Sequence, residues 1–205
     1  MSKIPLTTMD RYPLYLRVFH MLKNRGIQRV MSYDIAREMD VDAATVRRDF
    51  SYLGRLGRQG YGYDVDALIQ RFTQEMKVEG NTDIVLFGVG NMGRALLKYN
   101  SFLNKTGNII CAFETDWAKI GGTVEGVPIY HLSDLPTKFP MGVQIAIMAI
   151  PGAYLQDLVD ELISLGVRAF INFSDGDIRA RKKIIVQKID LVALIQDVVY
   201  RFKQA

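Results

Sequence analysis

The chain is nearly without cysteine: Cys111 stands alone in 205 residues. That excludes an internal disulfide and fits a reducing compartment. Cys111 sits inside an apolar run, where a thiol packs as a small hydrophobe; a redox-reactive thiol is the alternative. Histidine is scarce too, with only His20 and His131. Neither stands beside a nucleophile or a metal-ligand set, so no catalytic set and no metal are expected. No apolar run approaches the ~18 residues of a membrane span. The N-terminus lacks the apolar segment of a secretory signal. Internal repeats and low-complexity tracts are missing.

What is present is apolar content, 49% of residues, enough to build a core. The length suits one large domain or two small ones. Net charge is only +4, but it is unevenly placed. Between residues 43 and 63, Arg47, Arg48, Arg55 and Arg58 face Asp49 alone, a local excess of 4 − 1 = 3 positive charges. Such a patch suits an anionic surface.

The stretch Ile84 to Leu97 organises the chain. An apolar run leads into Gly88-Val89-Gly90-Asn91-Met92-Gly93, then into a helix-like segment. Gly88, Gly90 and Gly93 match G-x-G-x-x-G: the first permits a turn, the second lets a pyrophosphate approach, the third packs helix on strand. Asn91 and Met92 open that helix, whose N-terminus favours an anion. A second run, Asn108 to Glu114, ends on an acid 26 positions after Gly88, suited to ribose hydroxyls. A glycine turn in an ordinary α/β sheet is the alternative. Val143 to Ile150 is unbroken and apolar, as in a strand buried on both faces. It ends at Ile150-Pro151, where a dinucleotide would cross the strand ends. Strands at 168–173 and near 184–187 complete an open sheet.

Before the glycine stretch the pattern is helical. Residues 1–9 read as a loose arm. A helix begins near Asp10 and Pro13, with Leu14, Val18, Met21 and Leu22 in register. Ser32 caps a second helix, and Asp42 a third that places Ala43, Val46, Phe50 and Leu53 inward. Its other face shows Thr45, Arg47, Arg48 and Ser51. That order is a helix-turn-helix, whose last helix enters a major groove; a solvated helix is the alternative. Gly54, Gly57, Gly60 and Gly62 then shape a hairpin, a wing with Arg58 aimed at a minor groove, or else a solvated loop. Asp64 to Lys77 is a further helix. Residues 78–82 form the domain boundary. The last helix, capped by Asp190, carries a stripe of Leu191, Leu194, Ile195, Val198, Val199 and Phe202. It packs on its own sheet or on a second subunit.

With these segments in hand, the chain resembles the Rex family of redox-sensing transcriptional repressors. The likeness runs from about Arg11 to Phe202. It includes Tyr12 to Arg17, Ala44 to Tyr52, Gly57 to Tyr63, Gly88 to Leu96, Ala112 to Asp116, Lys119 to Gly121, Gly126 to Tyr130 and Asn172-Phe173. It implies a winged-helix domain at 1–79, a Rossmann-like doubly wound parallel sheet at 80–187, and a domain-swapped dimerisation helix at 188–205. It implies a cytoplasmic, non-enzymatic homodimer that binds an inverted-repeat operator when NADH is low and releases it when NADH binds. Thr45, Arg47, Arg48, Ser51 and Arg58 would face DNA. Gly88, Gly90, Asn91, Met92, Gly93, Glu114, Asp116, Lys119, Ile150 and Pro151 would hold NADH or NAD⁺. Arg17, Tyr99 and Asp190 would form a polar contact made in only one state. No membrane or metal partner is implied.

The chain departs from the family at Glu114, where aspartate is usual. It departs at Ser174-Asp175-Gly176-Asp177, in place of an Ala-Pro-Val-like loop, and at Leu194-Ile195, in place of Glu-Leu. These positions bear on cofactor affinity and on the preference for NADH over NAD⁺. Two alternatives follow: an NAD-dependent oxidoreductase with a helical accessory domain, and a DNA-binding paralogue that no longer senses redox state.

Overall fold

Tyr12, Tyr15, Phe19, Phe50 and Phe72 meet at the centre of the N-terminal part of the chain, in a computed structural model that describes residues 4–58, 60–76, 82–100, 107–180 and 183–204. The chain divides into two compact units, Met1–Glu79 and Gly80–Ala205. The first unit's rings pack mostly edge to face at 5.0–5.4 Å, the arrangement favoured by the ring quadrupole. Around them lie α1 (Leu6–Met9), α2 (Tyr12–Asn24), α3 (Ser32–Met39), α4 (Ala43–Ser51) and α5 (Val65–Met76). Pro13 falls in the first turn of α2, where its missing N–H costs nothing. Two details correct the sequence expectations. Residues 6–9 are a helical turn rather than a loose arm, because Thr8 is buried and bonded. Met31, not Ser32, is the N-cap residue of α3.

β1 (Arg29–Val30), β2 (Gly57–Arg58) and β3 (Gly62–Asp64) form an antiparallel sheet in the order β1-β3-β2. A Cβ on Gly62 would lie 2.8 Å from the Val30 carbonyl oxygen, and its φ is +77°. Only glycine lets the strands approach this closely there.

In the second unit, β4 (Asp83–Phe87) is buried at Val85, Leu86 and Phe87. It lies between β5 (Asn108–Glu114) and β8 (Ile145–Met148), parallel to both. β6 (Thr123–Val124), β7 (Val127–His131), β9 (Ala169–Asn172) and β10 (Ile185–Lys188) complete the order β10-β9-β8-β4-β5-β7-β6. All pairs are parallel except β6 with β7. The chain leaves β4 outward through β5 and β7, then returns to β8 on the other side. This is the doubly wound arrangement, with its switch point between β4 and β8. Among the described residues the helices here are α6 (Asn91–Lys98), α7 (Leu135–Lys138), α8 (Leu155–Ser164) and α9 (Leu191–Gln204). α6 ends at a C-cap on Tyr99.

No residue of α9 is buried. Val192, Leu194, Ile195, Val198, Tyr200 and Phe202 are each 59–81% exposed, so its apolar stripe does not pack on its own sheet.

Candidate dinucleotide and nucleic-acid sites

The switch-point crevice is built by the glycine turn. Gly88 has φ +92°, and a Cβ there would sit 2.3 Å from the Ala149 carbonyl oxygen. The strand ends of β4 and β8 therefore touch only because Gly88 has no side chain. A Cβ on Gly93 would lie 2.0 Å from the Gly88 carbonyl oxygen, which brings α6 hard against the turn. Gly90, the N-cap residue of α6, has nothing within 4 Å of its missing Cβ. It is a gap at a helix N-terminus, the chemistry that suits a phosphate.

Beside this turn lies a cavity of about 790 Å³, within the usual range for a small-molecule site. Of the ten expected cofactor residues, Gly88, Gly90, Glu114, Asp116, Lys119, Ile150 and Pro151 line it. Asn91 and Met92 open α6 beside it, and Gly93 supports the turn from behind. Phe87, Phe113, Leu132, Tyr154 and Leu158 add an apolar wall that motif spacing did not reveal. The donor set and the gap at Gly90 fit a dinucleotide.

Glu114 closes β5 and reaches across to the turn. Its Oε2 accepts from Val89 N–H at 2.8 Å, and its Oε1 accepts from the N–H groups of Thr115 (2.8 Å) and Asp116 (3.2 Å). Burial pushes this carboxyl up, but those three N–H groups and the Lys119 ammonium outweigh it and hold it below the usual range. Lys119 Nζ lies 3.5 Å from Glu114 and 3.2 Å from Asp116. The Trp117 and His131 rings stack at 3.9 Å next to this cluster.

In the first unit, α4 presents Arg47, Arg48 and Ser51 to solvent with Thr45 half-buried. Arg47 Nη1 donates to Ser32 Oγ at 3.1 Å, and Ser51 Oγ donates to the Arg48 carbonyl. The β2–β3 hairpin supplies the wing, with Arg58 in β2; the Arg58 side chain lies outside what is described. On the inner face of α4 sits Asp49, fully buried. It accepts from Thr8 Oγ1 (2.9 Å), Arg11 Nε (2.6 Å) and Nη2 (2.8 Å), and Tyr15 Oη (2.8 Å). Burial pushes its carboxyl up and the hydrogen bonds from Arg11, Tyr15 and Thr8 bring it below the usual range. The sequence reading missed this anchor. Its signal was an acid three positions after Val46 and next to Phe50, on the inner face of the helix.

Arg17 is exposed on α2, and Tyr99 caps α6. Asp190 Oδ1 accepts from Ala193 N–H at 2.9 Å at the start of α9. Among the described residues, no three His, Cys, Asp or Glu side chains gather as metal ligands. None of the described helices is long and apolar enough to cross a membrane.

Residues 3–51 match the family described as a putative DNA-binding protein N-terminus, and residues 79–176 match the CoA binding domain family. The crystal structure of RSP with β-NAD⁺ and operator DNA superposes at a TM-score of 0.88, with 25% identity, covering 100% of this chain and 94% of that one. RSP with β-NADH gives 0.84 at 23% identity, a likeness of fold. A winged helix followed by a doubly wound, glycine-turned sheet defines a DNA-binding regulator joined to a dinucleotide-binding domain. The redox-sensing transcriptional repressor Rex of Geobacillus kaustophilus is 41% identical over 98% of this chain and 94% of its own, and that of Bacillus subtilis is 41% identical over the same shares. The chain belongs to the Rex family of redox-sensing transcriptional repressors.

Proposed function

We propose that this protein represses transcription by binding an inverted-repeat operator in the cytoplasm and releases it when NADH fills the β4–β8 crevice. One observation carries the reading: a winged-helix unit and a sheet unit with an acid-flanked glycine turn lie on one chain. Thr45, Arg47, Arg48 and Ser51 address the major groove, and Arg58 the minor groove. Gly88, Gly90, Asn91, Met92 and Gly93 hold the pyrophosphate. Glu114 takes the adenosine ribose, with Asp116 and Lys119 beside it, and Ile150 and Pro151 border the other half. The exposed stripe of α9 packs, exchanged, on a second copy, so that two winged helices match two half-sites. Arg17, Tyr99 and Asp190 form the contact that differs between states, a charge-assisted bond biased by the ligand.

An operator titration with NADH, with NAD⁺ and with neither tests this. Release by NADH alone is expected. Equal binding in all three would leave a DNA-binding protein without redox sensing. The reading is also non-enzymatic: NADH incubated with the protein and candidate carbonyl substrates stays reduced, as followed by its absorbance.

A further inference from the structure

The crevice has a direction. Glu114 at the end of β5 marks the adenosine half and the glycine turn marks the pyrophosphate, so the nicotinamide half runs toward the ends of β8 and β9. There the cavity wall is Ile150 and Pro151. The next residue, Gly152, donates its N–H to Asp175 Oδ1 at 2.6 Å. The loops after β8 and β9 are locked together at this point. A Cβ on Gly152 would lie 2.7 Å from both Asp175 Oδ1 and Gly176 N. Asn172, fully buried, accepts from Ser174 N–H at 2.9 Å and donates to the Gly176 carbonyl at 2.8 Å, fixing the Asp175 loop from below. A carboxylate is thus held one residue beyond the cavity wall.

Its charge is offset only at longer range, by the Lys188 ammonium, which feels Asp175 as well as Asp177. Lys188 Nζ, the ammonium at the end of β10, is bonded to Asp177 Oδ1 at 2.5 Å. Arg179 meets Gln156 through its backbone N–H. Among the described residues no cation lies within ion-pair distance of Asp175.

We propose that Asp175 sets this chain's preference between the oxidised and reduced dinucleotide, by placing a negative charge beside the nicotinamide half of the crevice. The inference rests on the redox-sensing reading above. The two ligands differ in the ring: the nicotinamide of NAD⁺ is cationic and that of NADH is neutral. A nearby carboxylate attracts only the first, so it strengthens NAD⁺ binding and leaves NADH binding nearly unchanged. Since a ligand shifts an equilibrium only through its differential affinity, this raises the NADH level needed for release. Asp175 is exposed, so water and salt screen it, and the effect is modest, about two- to fivefold.

The test is calorimetric titration of the full chain with NAD⁺ and with NADH, at ~20 mM and ~500 mM salt. Asp175→Asn keeps an acceptor for Gly152 N–H and removes the charge. It is expected to weaken NAD⁺ about two- to fivefold at low salt, leave NADH unchanged, and lose most of that difference at high salt. Asp175→Glu, which restores the charge, is expected to restore the preference. In operator release at fixed NAD⁺, the Asn variant should need less NADH. Equal changes for both ligands, no change for either, or a Glu variant that behaves like the Asn one would overturn the proposal. A wild-type protein that binds neither dinucleotide would instead overturn the redox-sensing reading, and this inference with it.

Discussion

Single residues divide here into those that shape the crevice and those proposed to meet a ligand in it, and the glycines separate the two. Gly93→Ala drives a Cβ to 2.0 Å from the Gly88 carbonyl oxygen. Overpacking of backbone against backbone should cost about 1–3 kcal/mol and abolish dinucleotide binding, seen as a lowered Tm and a flat titration. Gly90→Ala meets no atom within 4 Å and has φ −73°. Its Tm should stay near wild type while dinucleotide affinity falls about tenfold, because the methyl fills the space proposed for phosphate. Asp49 acts differently. Replacing it by Ala leaves Thr8, Tyr15 and Arg11 without their shared acceptor, at a cost of about 2–4 kcal/mol in chemical denaturation. Its carboxyl is held below the usual value, so its contribution is present above the unfolded carboxyl pKa of about 3.9 and fades as pH falls through the lower folded value. The stability gap between wild type and the Ala variant should therefore be flat at neutral pH and close only in acid. A gap that closed near pH 7 would show that another group is responsible.

At the scale of elements, α4 and the wing make up the proposed reading head, yet they rest on different supports. α4 is held by its inner face and by the Asp49 anchor. The wing is held by strand pairing to β1 through β3. Arg58→Ala should weaken operator binding while leaving unfolding unchanged. If Arg58 neutralises one phosphate, the slope of log affinity against log salt should shrink by about one. An unchanged slope would remove Arg58 from the DNA surface. The third helix of this head was legible from spacing, since Val46 and Phe50 are buried as their period requires and Ala43 is half-buried, while Leu53, expected on the same helix, is buried just past its C-cap at Tyr52. The Asp49 anchor was not, because its partners Thr8, Arg11 and Tyr15 lie 34 to 41 positions away. No local pattern pairs residues at that separation.

At the scale of the molecule, the exposed stripe of α9 is an unmet demand among the described residues. An apolar helix face of this length calls for cover. Val199→Asp, placed within the stripe, should convert dimer to monomer at micromolar concentration in light-scattering chromatography. It should cut affinity for the inverted repeat on the order of a hundredfold, since the second half-site is then lost. A variant that stayed dimeric with full affinity would place the subunit contact elsewhere. The β4–β8 switch point is likewise a property of the whole sheet. It depends on β5 and β7 lying on one side and β8, β9 and β10 on the other.

What the sequence determined by itself is whatever depends on neighbours along the chain. The glycine turn, the acid ending β5, the helix-turn-helix and the hairpin all follow from local sterics and from periods of 2 and 3.6. Tertiary structure alone decided which distant groups meet. Asp49 found Arg11, Glu114 reached back to Val89, and Asp175 closed on Gly152, because strand order and helix packing brought those segments together. A hydrogen bond depends on distances of a few ångströms in space, and a sequence records only separation along the chain.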